Sequence, residues 1–182
     1  MTTYISILRG INVGGKRLIK MQLLKELYES LGYKNIQTYI QSGNVVFQAT
    51  KTKATDCANL ISQEINKVFG FNVPVIVLEK ERFKTIVQAN KFAKDKTKEA
   101  AFLHVTFLSD KPQLEDVEKI TKNDYGEDGF YFEEKAVYLY CPNGYSNSKL
   151  TNGFFESKLK VQATTRNWKT TLELLTIAEN IK

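Results

Sequence analysis

The fold is decided by residues 4–16, YISILRGINVGGK, in which a short apolar run gives way to a glycine-rich segment. The first five residues are mostly aromatic or β-branched, which predicts a buried strand. The three glycines that follow predict a tight backbone path, and they leave N–H groups open to an anion. Lys16, Arg17 and Lys20 add positive charge where the next helix begins, and helix N-termini attract anions. The segment indicates either an anion-binding loop or a plain connection with solvated lysines.

The residues beyond this loop predict a complete β-α-β-β-α-β unit. Apolar side chains at helical spacing indicate helices over residues 20–31 and 55–69. Short strands are expected at 36–40 and 45–48 around a turn at 41–44, and at 73–78. This order is typical of a ferredoxin-like split β-α-β fold, with both helices on one face of an antiparallel sheet. A third helix is expected over residues 80–89.

The second half repeats the pattern without its last strand. Residues 102–159 read β-α-β-β-α, and a C-terminal helix follows Thr164–Trp168 in place of the final strand. We therefore predict an α+β protein of two ferredoxin-like halves, related by architectural duplication. The predicted divisions are 1–90 for the first half with its extra helix, 91–100 for a lysine-rich linker or loop, and 101–182 for the second half.

Composition points to a globular protein with an uneven charge. The net charge is +6, and residues 1–100 hold 16 basic against 8 acidic side chains. No apolar run approaches the roughly 20 residues of a membrane helix, and Cys57 and Cys141 fit neither a disulfide framework nor a zinc site. We expect a cytoplasmic protein without a membrane partner or a bound metal.

Several enzyme classes lose support from the sequence. The only histidine, His104, lies inside a strand pattern, which favours a core or sheet-face role over catalysis. The segment from Gly10 to Lys16 approaches the phosphate-loop pattern, but Arg17 occupies the position of the magnesium-binding hydroxyl. The position of His104 therefore gives no support for a histidine-based hydrolase, and the missing hydroxyl gives none for a nucleoside triphosphatase.

Four polar loops are the candidate binding segments, at residues 9–16, 41–44, 143–149 and 164–168. Arginine offers a planar charged fork for carboxylate or phosphate, and amides offer hydrogen bonds. Each loop also has a purely structural interpretation, such as a turn at Asn44 or capping by Arg166. The candidate ligand-binding residues are Arg9, Asn12, Gly14, Gly15, Lys16, Gln41, Ser42, Asn44, Lys149, Arg166 and Asn167.

Three functions follow as hypotheses. The first is binding of an anionic or polar small molecule in a cleft formed by the four loops, with an enzymatic role left open. The second is a nucleic-acid-binding module that uses the basic first half, with Tyr4, Tyr39 and Phe47 on its strands. The third is a regulatory protein-interaction module, for which an exposed apolar patch would be the clue. The sequence assigns no cofactor, catalytic residue or oligomeric state.

Six stretches together carry a resemblance to one family. They are Leu8–Lys16, Thr38–Phe47, Phe71–Val75, Leu103–Leu108, Ser148–Asn152 and Ala163–Trp168. In this order the chain resembles the domain-of-unknown-function family 1697 over nearly its whole length. The resemblance implies a bacterial, cytoplasmic α+β protein with paired ferredoxin-like halves, and it implies no established activity, cofactor or catalytic residue.

Overall fold

The computed structural model describes residues 1–181 as eight strands, six α-helices and three short 3-10 helices. In chain order the first half contains β1 (Thr2–Leu8), α1 (Met21–Ser30), β2 (Lys34–Tyr39), β3 (Asn44–Ala49), α2 (Ala54–Phe69), β4 (Val75–Glu79) and α3 (Lys80–Gln88). The second half contains β5 (Leu103–Leu108), α4 (Leu114–Thr121), β6 (Gly129–Glu133), β7 (Ala136–Tyr140), α5 (Asn152–Leu159), β8 (Ala163–Asn167) and α6 (Trp168–Asn180). The 3-10 helices are Phe92–Lys94, Ala100–Phe102 and Tyr145–Asn147.

The strands form two antiparallel sheets with the same internal order. The first sheet is β2-β3-β1-β4 and the second is β6-β7-β5-β8, and every strand pairing is antiparallel. In each half, the strand that comes first in sequence lies between the third and the fourth: β1 lies between β3 and β4, and β5 lies between β7 and β8. The predicted fold class, α+β with two ferredoxin-like halves and a final extra helix, is confirmed.

One part of the predicted topology is wrong, because the second half does not lack its last strand. Residues 163–167 form β8, which pairs with β5 from His104↔Asn167 to Leu108↔Ala163. The segment has one aliphatic residue and two threonines, so its pattern resembles a polar loop. Its strand conformation comes from backbone pairing with β5, which hydropathy does not report.

Alternation along the strands places the helices of the first half on one face of its sheet. Tyr4 and Leu8 of β1 belong to the same buried cluster as Leu24 of α1 and Ile61 of α2. Ser6 lies on that face too, where its Oγ is 2.7 Å from Oη of Tyr28. Residues two apart share a face of a strand, so this one face carries the core of the first half.

The second half buries its helices against its sheet in the same way. Val137 and Leu139 of β7 pack with Ile120 of α4 and Phe155 of α5 in one buried cluster. Cys141 is buried in this cluster, and Cys57 is buried in the core of the first half. Both cysteines are therefore core residues with free thiols.

Strand β2, at one edge of the first sheet, is irregular. Pairing between β2 and β3 shifts register between Lys34 and Gln37, and Asn35 in the gap has a φ of 51°. The Asn35 Nδ2 atom donates to Oε1 of Gln48 at 2.6 Å, across to β3. A residue added to one strand in this way bends and twists the edge of a sheet.

Contacts divide the chain into two compact units. One comprises Met1–Thr85 with the last helix from Glu173 onward, and the other comprises Ile86–Leu172. The predicted divisions at residues 90 and 100 stay predictions. No helix among residues 1–181 is long and apolar enough to cross a membrane.

Candidate functional site

The segment Arg9–Lys20, which we call the glycine loop, leaves β1 and returns to α1 as a small hairpin. Val13 and Lys16 form an isolated antiparallel bridge, and the Lys16 N–H donates to the Val13 carbonyl at 3.1 Å. Gly14 and Gly15 between them have φ values of 58° and 71°. Two successive positive φ angles are the signature of a type I′ turn, which other residues adopt at a cost. The two glycines therefore give the loop its shape.

Asn12 holds the base of the glycine loop through its side-chain amide. Its Oδ1 accepts the Ile19 N–H at 2.8 Å, and its Nδ2 donates to the Ile19 carbonyl at 2.9 Å. The same Nδ2 donates to the Gln41 carbonyl at 2.8 Å, so the loop is tied to the neighbouring turn. Both amide hydrogens are used within the protein. The sequence predicts that Asn12 binds a ligand, which stays a prediction; in the structure its amide hydrogens bond to the backbone carbonyls of Ile19 and Gln41.

The turn at residues 40–43 is packed directly under this loop. The Leu8 N–H donates to the Gly43 carbonyl at 2.8 Å. A Cβ atom at Gly43 would lie 2.6 Å from Cβ of Leu8 and 2.9 Å from Cδ1 of Ile11. The φ of Gly43 is also +81°. Glycine is therefore required here on two independent grounds.

Polar residues of this turn serve its own structure. Asn44 is buried, and its Nδ2 donates to the Tyr39 carbonyl at 3.1 Å and to Oγ of Ser42 at 2.9 Å. Ile40 has a φ of 49°, an unusual conformation for a β-branched residue. Such strain persists only where the surroundings hold it in place, and here the bonds of Asn44 and the packing of Gly43 do so.

Three of the four cations of the glycine loop face solvent, whereas Arg9 at its start is half-buried. Lys16, Arg17 and Lys20 are exposed, and within residues 1–181 none of them forms an ion pair or a side-chain hydrogen bond with an acidic group. Ile11 and Ile19 are buried and fasten the loop to the core. The glycine loop is thus an internally bonded scaffold that presents unneutralised positive charge.

In the second unit, Arg166 and Asn167 lie at the end of β8. Arg166 pairs with Val105 in the sheet, and its Nη1 donates to the Thr165 carbonyl at 3.0 Å. Burial lowers the pKa of the Arg166 guanidinium to about 10, so it keeps its charge at neutral pH. Asn167 caps α6, because its Oδ1 accepts the Thr170 N–H at 2.8 Å. Asparagine is among the residues that helices prefer at this capping position.

The predicted loop at residues 143–149 lies at the same end of the second sheet. Its Tyr145 ring stacks on the His104 ring with centroids 4.8 Å apart, and His104 pairs with Asn167 across the sheet. Burial lowers the pKa of His104, and its Nδ1 is buried without a hydrogen-bond partner. Lys149 is exposed and lines a cavity formed with α4 and α5.

The structure therefore groups the candidate residues in two pairs of loops. The first pair is the glycine loop with the turn at 40–44, joined by the Asn12 to Gln41 bond. The second pair is the loop at 143–149 with the end of β8, on either side of His104. Convergence of all four loops stays a prediction.

Three residues of the first pair were absent from the predicted set. Arg17 and Lys20 continue the cationic row from Lys16, and Gly43 is the contact on which the turn packs. The basic run was visible in the sequence and could have been included. The need for glycine at residue 43 depends on Leu8 and Ile11, which are distant in the chain. Over the part of the chain that the structure describes, no three His, Cys, Asp or Glu side chains group as metal ligands.

Comparison with known structures supports the fold. The conserved bacterial protein SP0830 from Streptococcus pneumoniae has a similar structure, with a TM-score of 0.70 and 21% sequence identity. The similarity covers 97% of this chain and 98% of that one. Both halves of the fold are therefore present together in another protein.

Comparison of sequences identifies the family. No curated protein matches the chain. A family model described as "Protein of unknown function (DUF1697)" matches residues 1–138, which include the glycine loop, the turn at 40–44 and most of the second sheet. The match contains four of the six sequence stretches and confirms the expected resemblance over these residues, so the chain belongs to the DUF1697 family of proteins of unknown function.

Proposed function

We propose that this protein binds small anionic molecules through the glycine loop. The observation that carries the proposal is the row of three exposed cations, Lys16, Arg17 and Lys20, without an acidic partner among residues 1–181. The three cations lie within five residues of one another in the chain, and like charges repel at a cost of up to about 1 kcal/mol per pair in water. A bound anion would remove that cost.

Three lysines elsewhere in the protein show a contrast. Lys67 lies 3.1 Å from Glu64, Lys98 lies 3.0 Å from Asp95, and Lys119 lies 3.0 Å from Asp116. These side chains already have a carboxylate within reach on their own segment. The glycine loop contains no acidic residue between Arg9 and Lys20, so the charge of Lys16, Arg17 and Lys20 is available to a ligand.

The local backbone favours the same chemistry. Helix α1 begins after Lys20 with no side-chain cap and no acidic residue in its first turn, which leaves the positive end of its dipole uncompensated. Gly14 and Gly15 have no atoms within 4 Å of a hypothetical Cβ, so an anion can approach their backbone closely. Arg17 adds a planar fork that matches the oxygens of carboxylate or phosphate.

The groups on this loop serve binding better than proton transfer. Between residues 9 and 20 the only ionisable side chains are arginine and lysine, whose ordinary pKa values lie far above neutral pH. A general base near pH 7 would have to come from elsewhere in the chain or from the ligand. The proposal is therefore a binding function, with catalysis left open.

Recognition of a protein partner is the second candidate, and exposed aliphatic residues favour it. Val13, Leu18 and Ile40 are 65%, 66% and 50% exposed, and all lie on the glycine loop or its supporting turn. Aliphatic side chains beside cations are suited to an acidic protein surface with an apolar centre. A nucleic acid is less favoured, because two of its three candidate rings, Tyr4 and Phe47, are buried in the core and cannot stack on bases, while Tyr39 is half-buried.

A charge-matched pair of variants tests the proposal. Lys16→Gln, Arg17→Gln and Lys20→Gln are combined in one variant, and Lys34→Gln, Lys51→Gln and Lys53→Gln in the control. The control residues are also exposed and belong to the same unit, so both variants lose three positive charges. Binding of pyrophosphate and of citrate is measured by calorimetry at low ionic strength, where exposed charges are least screened.

We expect the glycine-loop variant to bind pyrophosphate at least tenfold more weakly than wild type, since each contact is worth on the order of 1 kcal/mol. The control variant should bind as wild type does. Equal affinities in all three proteins would refute the proposal. Tight binding of single-stranded RNA together with no binding of either small anion would favour the nucleic-acid alternative instead.

A further inference from the structure

The cavity that Lys149 lines lies in the second unit, between the end of α4 and helix α5. Its volume is about 320 Å³. We call it the lysine pocket, and the residues on which the argument rests are Lys119, Ile120, Tyr125, Lys149, Phe154 and Lys158. None of them lies in the glycine loop, so the lysine pocket is independent of the function proposed above.

The inner part of the lysine pocket is apolar. Ile120 is buried at its base, and the half-buried rings of Tyr125 and Phe154 form a wall. Their centroids are 5.6 Å apart with an interplanar angle of 79°. Aromatic rings favour edge-to-face or offset contact with another ring, so this wall suits a flat apolar group.

The rim of the lysine pocket is cationic. Lys149 precedes α5 and Lys158 lies on α5, and both are exposed without an acidic partner in the described chain. Lys119 is paired with Asp116 at 3.0 Å. Asp124 also lines the pocket, where its Oδ1 accepts the Gly126 N–H at 2.9 Å. The net charge of these groups favours an anionic occupant.

The C-terminus of α4 does not cancel this charge. Carbonyl oxygens at a helix end carry partial negative charge when they lack partners. Here the Ile120 carbonyl accepts the Tyr125 hydroxyl at 3.1 Å, and the Lys119 carbonyl accepts Nδ2 of Asn123 at 2.9 Å. Tyr125 and Asn123, which both line the pocket, therefore bond to the last carbonyls of α4.

From this combination we infer that the lysine pocket is a binding site for a small aromatic anion, an aryl phosphate or aryl carboxylate. The apolar wall receives the ring, while Lys149 and Lys158 bind the charged group. The cavity is near the lower end of the usual 300–1,000 Å³ range for ligand pockets, which suits a single ring with one anionic substituent. Neither a bare inorganic anion nor a neutral ring uses both halves of the pocket.

Three probes separate these contributions in an NMR titration of the full-length protein. Phenyl phosphate carries both the ring and the charge, inorganic phosphate carries only the charge, and phenol carries only the ring. We expect phenyl phosphate to shift the backbone amides of residues 123–125 and 154, and to bind at least fivefold more tightly than either comparator. Equal affinity for inorganic phosphate would overturn the inference, as would shifts confined to residues outside the pocket.

A double variant tests the lysines. Lys149→Gln with Lys158→Gln should weaken phenyl phosphate binding about thirtyfold, on the basis of about 1 kcal/mol for each of the two contacts in water. The control combines Lys111→Gln with Lys169→Gln, which are exposed lysines of the same unit away from the pocket. It should bind as wild type does. Unchanged affinity in the double variant would overturn the inference.

Discussion

The two halves share a sheet order but place their long loops at different connections. In the first half β1 ends at Leu8 and α1 begins at Met21, so residues 9–20 give a connection of 12 residues. The equivalent connection of the second half, between β5 and α4, consists of residues 109–113 and has only five. The glycine loop is this whole first connection, and it is seven residues longer than its counterpart.

The second half extends a different connection. Residues 141–151 join β7 to α5 with 11 residues, whereas residues 50–53 join β3 to α2 with four. Because β1 is antiparallel to β3 and β5 to β7, these two connections leave opposite ends of their sheets. The same scaffold therefore supports loops at either end, and the loops, not the sheets, distinguish the halves.

The two loops are also held by different interactions. Amide bonds of Asn12 and the packing of Gly43 fix the glycine loop. The loop of the second half is held in part by a stack of Tyr145 on His104, a residue that can gain a proton. This difference leads to three predictions.

The largest effect is expected at Gly43. Gly43→Ala forces a Cβ to within 2.6 Å of Leu8 and imposes a φ of +81° on alanine, so we expect a loss of about 2 to 4 kcal/mol in the free energy of unfolding. Gly126→Ala is the matched control in the second unit. Its φ is +70° with no atom within 4 Å, so only backbone strain of about 1 to 2 kcal/mol should appear. Equal losses in urea denaturation would show that the close packing at Gly43 is unimportant.

A smaller effect is expected at Asn12. Asn12→Ala removes three hydrogen bonds and leaves both backbone groups of Ile19 without this partner, which should cost about 2 kcal/mol. The control is Asn143→Ala in the loop of the second half. It removes a single exposed side-chain hydrogen bond to Glu127, and should cost about 0.5 kcal/mol or less. Hydrogen exchange at the Ile19 amide provides the measurement. If its protection survived in Asn12→Ala, the amide clamp would not be what orders the glycine loop.

The smallest effect concerns acid. Burial lowers the pKa of His104 in the fold, so the unfolded chain takes up the proton first as the pH falls below about 6.5. The contribution of His104 to stability is complete above that pH and declines as the pH falls towards the folded pKa. Thermal unfolding between about pH 5 and 7.5 should show this decline in wild type.

A ring without a titrating nitrogen is the control for His104. His104→Phe can keep the stack on Tyr145, and this histidine is the only one in the chain. The decline with acid should disappear in the variant. Protection of the Ile19 amide in the glycine loop should show no dependence on residue 104 in either protein. An identical decline in both proteins would assign the acid response to other groups.

The sequence predicted those elements whose side chains report their burial directly. Leu24, Leu27 and Tyr28 recur at helical spacing and are buried in α1, so the helix and its inner face were both predictable. Strand β8 was not, because Thr164 is buried through pairing with Phe107 and not through its own hydropathy. Burial of a polar strand is decided by its neighbour in the sheet, and here that neighbour lies far away in the chain.

The candidate site was predictable as a location and not as a set of roles. Glycines and cations identified the glycine loop, since both are local properties of the sequence. The role of Asn12 depends on contacts with Ile19 and Gln41, which lie 7 and 29 residues away. The spacing of residues in the sequence does not reveal such contacts. An asparagine that holds a loop together and one that binds a ligand therefore look the same in the sequence.

The register shift on β2 has a consequence for how the protein associates. An outer strand with regular pairing is a template on which a strand of another molecule can add. Here the shift between Lys34 and Gln37 interrupts the row of free backbone groups, and Lys34 places a charge on the same border. A second copy that added a strand at this border would meet a broken ladder, so the first sheet is protected on this side against growth into fibres.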